Sequence, residues 1–183
     1  NLLKVVELTL RNGRDTFTGR QLGLMTGELD TFHSFDDFFN AYSRQVNWLM
    51  EALAAQQRLE YEVAGKVAPF LLPSVLFDDC IDRGKPLLSG GVRHLGGTIE
   101  TYGNINAANS LTALRRVLFP AEVPGSDTHS GISPEQLLAA LDTDFAGSTD
   151  LPAALLACPK YGNDNTEADE MAIRVHEQVC HSA

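Results

Sequence analysis

The chain has 183 residues, 44% of them apolar and 21% charged, a balance that excludes collagen-like, disordered and disulfide-scaffold classes. Fourteen basic residues against 24 acidic ones leave a net charge of −10, so the basic footprint that nucleic acid requires is missing. Between Ala121 and Glu170 ten acidic residues meet one basic residue, Lys160, and such a stretch repels phosphate and anionic lipid alike. Neither nucleic acid nor a membrane is expected as a partner. Three cysteines, Cys80, Cys158 and Cys180, are too few and too far apart for a disulfide framework, so reduced thiols in a cytoplasmic compartment are expected. The longest apolar run, Val67 to Phe77, contains Pro69 and Pro73 and cannot cross a bilayer as one helix. The sequence opens without Met inside a helical pattern, which reads as a segment of a longer chain.

Leu2 to Leu10 predicts a short helix stopped by Asn12-Gly13. Arg14 to Asp30 reads as loop. Ser34 is a candidate N-cap with Asp37 at N3. Behind it Phe35, Phe39, Tyr42, Val46, Leu49 and Leu53 step by 4, 3, 4, 3, 4, one face of a helix reaching about Val67 before Pro69. Leu72 to Arg83 predicts one helix, opened by Pro73 and closed by Gly84. Paired glycines then bracket Val92–Leu95, a candidate buried strand.

Thr98 to Gly103 reads as loop and Asn104 to Phe119 as helix. Ala108, Leu111, Leu114 and Leu118 face inward in this reading, Arg115 and Arg116 outward. Val123 to Ile132 is loop. Ser133-Pro134-Glu135-Gln136 is a capping box that starts a helix to about Leu141. Leu151 to Ala157 is a short helix and Pro159 to Asn165 a turn. Thr166 caps the last helix, whose buried stripe is Ala168, Met171, Ala172, Val175 and Val179. A strand, a glycine-rich loop and a helix make a βα unit, so the expected class is α/β with helix dominant. The whole, residues 1–183, reads as a single fragment of one domain.

Most chemistry-bearing groups have an ordinary reading. The glycine stretch lacks G-x-x-x-x-G-K-[ST], because Pro86 follows Gly84-Lys85. His176 and Cys180 lie four apart on one helix, but no further cluster completes a metal site. Asp127, His129 and Ser130 are triad residue types, yet sequence neighbours rarely form triad geometry. Cys80 reads as a small buried hydrophobe. Glu100 and Tyr102 differ in kind. They follow the candidate strand, in the loop where parallel-stranded barrels carry their chemistry, and Arg93 and His94 alternate along the strand itself. These four residues are the candidates for a substrate cavity.

The stretch Ser89–Phe119 resembles the late barrel segment of glycyl radical enzymes of the pyruvate formate-lyase type. The matching residues are Gly90-Gly91-Val92-Arg93-His94, near the family's GGARYN, and Ala108-Asn109-Ser110-Leu111, near its ADSL. Further likenesses follow in order: Val6 to Gly13, Leu22-Gly23 with Thr26-Gly27, Phe32 to Asp37, Asp79 to Lys85 (a DCIxRGK segment) and Pro159 to Asp164 (PKYGND), with Asp169 after it. Three positions depart from the pattern: Pro86 and Asn109 stand where the family has acids, and His94 where it has tyrosine.

The resemblance implies a ten-stranded α/β barrel, of which this chain is a helix-rich fragment. It implies a glycine that stores a radical and a cysteine, in a Cys-x-Glu loop, that abstracts hydrogen from substrate. Neither motif is present: the second residue after Cys80, Cys158 and Cys180 is Asp82, Lys160 and Ser182. No radical residue and no bound cofactor or metal is therefore expected in this segment. Implied partners are a small organic substrate, an S-adenosylmethionine-dependent iron–sulfur activating enzyme and a second copy of the enzyme, in an anaerobic cytoplasm. Glu100 favours an arylacetate-decarboxylase-like reaction, because a buried carboxylate suits proton traffic. Dehydration and C–N cleavage stay open beside it, as does a catalytically inert remnant that only binds a partner.

Overall fold

The computed structural model describes residues 1–125 and 131–183. The chain divides into two compact units, Asn1–Trp48 with Thr101–Ala183, and Leu49–Glu100. Among the described residues no helix is long and apolar enough to cross a membrane.

The larger unit is built of helices. It holds α1 (Leu2–Leu10), the first part of α2 (Phe35–Val67), α5 (Asn104–Leu118), α6 (Pro134–Asp142), α7 (Asp150–Ala157) and α8 (Thr166–Ser182). α5 is its centre and packs against α1 and α8. Its buried residues include Ala107, Ala108 and Ala113, small side chains that admit close helix approach, beside Leu111, Leu114 and Val117. α8 buries the five residues expected of it, Ala168, Met171, Ala172, Val175 and Val179. Each fully buried Leu or Val here contributes about 1.5–3 kcal/mol. Buried hydroxyls find acceptors within their own helices: Thr9 donates to Val5 O at 2.8 Å and Thr112 to Ala108 O at 3.0 Å. The Tyr42 hydroxyl has no partner among the described residues, and burial pushes its pKa up.

Caps follow the sequence with one shift. Asn1 accepts from Leu3 N, and Ser133 and Gln136 form the full capping box of α6. Ser34 Oγ accepts from Asp37 N at 3.1 Å, and the Glu122 carboxylate accepts from Phe35 N at 3.1 Å. On α8 the cap is Asn165 rather than Thr166, with its side chain accepting from Ala168 N. Asn is as good an N-cap as Thr and lies one residue earlier, so Thr166 becomes the first helical residue. Arg115 and Arg116 are half-buried rather than outward. Arg116 pairs with Glu167 at 2.6 Å, and the Arg115 guanidinium lies 5.7 Å from the Phe35 ring centroid.

The smaller unit holds the rest of α2, α3 (Leu71–Ser74), α4 (Asp78–Arg83), a 3₁₀ turn at Leu87–Ser89 and an irregular segment to Glu100. The single helix expected over Leu72–Arg83 is two. Ser74 Oγ donates to Phe70 O at 2.7 Å and accepts from Leu87 N at 2.9 Å, and extended Phe77 precedes the new start at Asp78. The C-cap at Gly84, left-handed at φ 59°, is as expected.

The strand expected at Val92–Leu95 does not form. The described residues contain no strand, only an isolated antiparallel bridge between Arg14 and Gln21. A strand exists through its ladder, and here the chain turns at 91, bends at 92–93 and pairs with no other segment, its carbonyls being met instead by scattered side chains. Arg83 donates to Gly90 O and Val92 O at 3.0 and 3.1 Å, Tyr61 to Gly96 O at 3.3 Å and Gln57 to Thr98 O at 3.1 Å. The α/β expectation is thus met only in its helix-rich part.

Candidate functional site

Leu49, Leu53, Gln57, Tyr61 and Gly65 repeat every four residues along α2, and this stripe receives the segment from Leu88 to Thr98. Ser89 Oγ donates to Gly65 O at 2.9 Å at one end. Gly97 meets Gln57 so closely that a Cβ there would lie 2.1 Å from Oε1. Gly91 has no more room, since its Cβ would lie 2.3 Å from Lys85 O and 2.6 Å from Cys80 Sγ. Gly91 is required by this close approach of backbone, whereas a Cβ at 97 would have to displace only the end of the Gln57 side chain.

Asp79 completes the arrangement. Its carboxylate accepts from Arg93 N at 3.3 Å through one oxygen and pairs with Arg93 Nε at 3.0 Å through the other. The DCIxRGK and Gly90–His94 stretches are therefore two halves of one lock. Arg93, His94 and Glu100 lie on this strap, and all three are exposed. Arg93 is engaged by Asp79. Tyr102 belongs to the larger unit, where its carbonyl accepts from Leu2 N at 2.9 Å. The N-cap of α5 is Gly103, with no side-chain cap bond. Sequence reading overlooked Gln57, Tyr61, Asp79 and Arg83.

The larger unit has its own cleft of about 1160 Å³ between α1, α5, α6 and α7, lined by leucines and charged side chains in equal number. None of Arg93, His94, Glu100 and Tyr102 lines it. Its polar wall is a network in which Lys4 Nζ bridges Glu7 and Asp15, while Thr16 and Thr18 donate to those carboxylates. Partial burial pushes Glu7 up, but the hydrogen bonds from Lys4 and Thr16 outweigh it and hold the carboxyl below its ordinary value. The Lys4 ammonium, with Thr18, holds Asp15 lower still.

The thiols are scattered. Cys80 is buried against Gly91. Cys158 donates to Ala154 O, and burial pushes its pKa up. Cys180 is exposed on α8, 3.5 Å from His176 Nε2. Among the described residues no three His, Cys, Asp or Glu side chains converge on a metal position. The triad types at 127–130 lie outside the described residues.

The PKYGND turn docks on the helices. Tyr161 N donates to Asn109 Oδ1 at 2.8 Å, and Lys160 Nζ donates to the carbonyls of Leu155, Leu156 and Cys158. Asn109 thus supplies the acceptor that an acid would supply, without the charge.

Comparison with known proteins gives a consistent result. The pyruvate formate lyase-like family matches residues 1–183. The trans-4-hydroxy-L-proline dehydratase of Clostridioides difficile is 33% identical over 172 residues, 93% of this chain and 21% of its own length. The glycerol-bound B12-independent glycerol dehydratase of Clostridium butyricum matches with a TM-score of 0.86 at 29% identity, over 100% of this chain and 22% of its own. A glycyl radical enzyme from Archaeoglobus fulgidus matches with a TM-score of 0.83 at 25% identity, over 100% of this chain and 22% of its own. The chain spans about a fifth of the length of these relatives. With a family match over every residue and the family's motifs interlocked in the fold, the chain belongs to the pyruvate formate lyase-like family.

Proposed function

We propose that this chain is one segment of a glycyl radical enzyme that removes water from a small hydroxylated substrate. The observation that carries the reading is the uninterrupted family match over residues 1–183, joined by similarity to two dehydratases. The radical glycine and the thiyl cysteine belong, in this reading, to the part of the enzyme that this segment does not supply. Cys80, Cys158 and Cys180 are structural or surface thiols.

The segment's own contribution is the strap. Glu100, Arg93 and His94 are carried on it and Tyr102 follows it, and these four are assigned to the substrate cavity. In a desolvated cavity a carboxyl at Glu100 protonates the departing hydroxyl, while the radical performs the hydrogen abstraction. Decarboxylation of an arylacetate is the second reading, favoured by the same carboxylate as a carrier of the phenol proton. Both readings assign an S-adenosylmethionine-dependent iron–sulfur activating enzyme and a second copy as partners, in an anaerobic cytoplasm.

The test is anaerobic activation of the complete enzyme with S-adenosylmethionine and its activating enzyme. Electron paramagnetic resonance and a substrate panel of trans-4-hydroxy-L-proline, glycerol, 1,2-propanediol and an arylacetate follow. A glycyl doublet with loss of hydroxyl from one of the first three is the expected outcome. Turnover of the arylacetate alone selects the second reading. Absence of the doublet removes both and leaves the inert remnant.

A further inference from the structure

We propose that Asp79 and Gln57 are positioning residues that set the course of the strap and so the placement of Glu100. The inference rests on the assignment of Glu100 to the substrate cavity made above, and it deepens that assignment.

The strap is long and irregular, and it has no ladder to hold it. Free extended backbone samples many states, and fixing each residue costs about 1–2 kcal/mol of conformational entropy. Its order therefore comes from what grips it. Four side chains do so, and three of them hold carbonyls: Arg83 at Gly90 and Val92, Tyr61 at Gly96 and Gln57 at Thr98. Asp79 differs, because it holds the backbone N–H and the guanidinium of Arg93 together. The two contacts from one carboxylate fix both the position of residue 93 and the direction in which the chain leaves it.

Gln57 acts nearest the functional end, two residues before Glu100. Its amide lies directly against Gly97, where a Cβ would stand 2.1 Å from Oε1, so a larger residue at 97 would displace the Gln57 side chain and its hold on Thr98 O. The arrangement is a pair of fixed points, at 93 and at 98, with Glu100 just beyond the second. A displacement of about 1 Å at a reacting group costs up to roughly 10²-fold in rate, so loss of either point reaches catalysis without touching substrate.

Two readouts test this. Arg93 is itself a trypsin site, and the rate of cutting at Arg93–His94 in the 183-residue chain reports opening of the strap. In the activated complete enzyme, kcat and KM are measured per glycyl radical for Asp79→Ala, Asp79→Asn and Gln57→Leu. Asp79→Asn keeps an acceptor for the Arg93 N–H but loses the charge pair. The expected result is faster cutting in Asp79→Ala, with kcat per radical down roughly 10- to 100-fold and KM little changed. Asp79→Asn should recover part of both, and Gln57→Leu should lower kcat likewise.

A purely structural role for Asp79 would lower the yield of radical-bearing enzyme and leave kcat per radical intact, which overturns the proposal. Unchanged cutting in Asp79→Ala also overturns it. Failure of the underlying assignment looks different: Glu100→Gln then turns over at the wild-type rate, whatever the strap variants do.

Discussion

Gly91 shows how much a single position governs here. A Cβ at 91 would meet Lys85 O at 2.3 Å, Cys80 Sγ at 2.6 Å and Pro86 O at 2.7 Å, and two of those atoms are backbone. Gly91→Ala should destabilise the chain by about 1–3 kcal/mol, read as a lower urea midpoint. An unchanged midpoint would show that the strap is not seated on α4. The Lys4 network gives a pH prediction. Glu7 and Asp15 are both held below their ordinary values in the folded chain. On acidification the unfolded chain therefore takes up protons first, from about pH 4 downward, and stability falls as pH drops through the folded values. Lys4→Met should flatten that fall between pH 5 and 3, and identical slopes in the two proteins would refute it. At this scale the sequence was informative about motif residues but not about surroundings. Arg93 and Glu100 were legible as candidates. That Asp79 engages Arg93 was not, because it depends on a contact across 14 residues.

At the scale of elements, periodicity and caps located α1, α2, α5, α6 and the buried face of α8. Those signals are local, and local physics is enough to read them. The failures have a non-local cause. Leu72–Arg83 carries one start signal and one stop signal, but Ser74 bonds Leu87 N across 13 residues, and the helix breaks between. Ser74→Ala should cost about 0.5–1.5 kcal/mol, the net contribution of one hydrogen bond, since it removes the acceptor of the half-buried Leu87 N–H. Thermal unfolding checks this, and a melting temperature within error of wild type would mean that the break at 75–77 has another origin. The absent strand is the same lesson. Val92–Leu95 has strand composition, yet the chain bends at 92–93 and no described segment lies alongside to pair with it.

For the whole molecule, the most telling feature is the apolar surface of the smaller unit. Val67, Leu71, Leu72, Val75, Leu76 and Ile81 are all at least 58% exposed. So large a patch is unusual on a free surface. The 183-residue chain alone should bind an environment-sensitive apolar dye, and Leu72→Glu with Leu76→Glu should remove most of that signal. No dye binding would mean that the patch is covered. The same chain, in which the family's RVxGY-type radical-glycine loop does not occur, should give no glycyl doublet when incubated with an activating enzyme and S-adenosylmethionine. A doublet would place a radical glycine among its own 15 glycines. Motif order pointed to the family, but it does not reveal which faces are left bare, because that depends on how distant segments meet.

The grips on the strap fall mostly on main-chain oxygens. Arg83, Tyr61 and Gln57 hold carbonyls, which every residue type presents alike. Side chains along the strap are then mostly released from the duty of holding it, apart from Ser89, which donates to Gly65 O, Arg93, which pairs with Asp79, and cramped Gly91. Mutations at 94, 95 and 98–100 can accumulate without loosening the backbone they ride on. His94 in place of the family's tyrosine is an instance. A scaffold gripped in this way lets a lineage explore new chemistry at low structural risk: the path of the chain is inherited, while what it displays is free to drift.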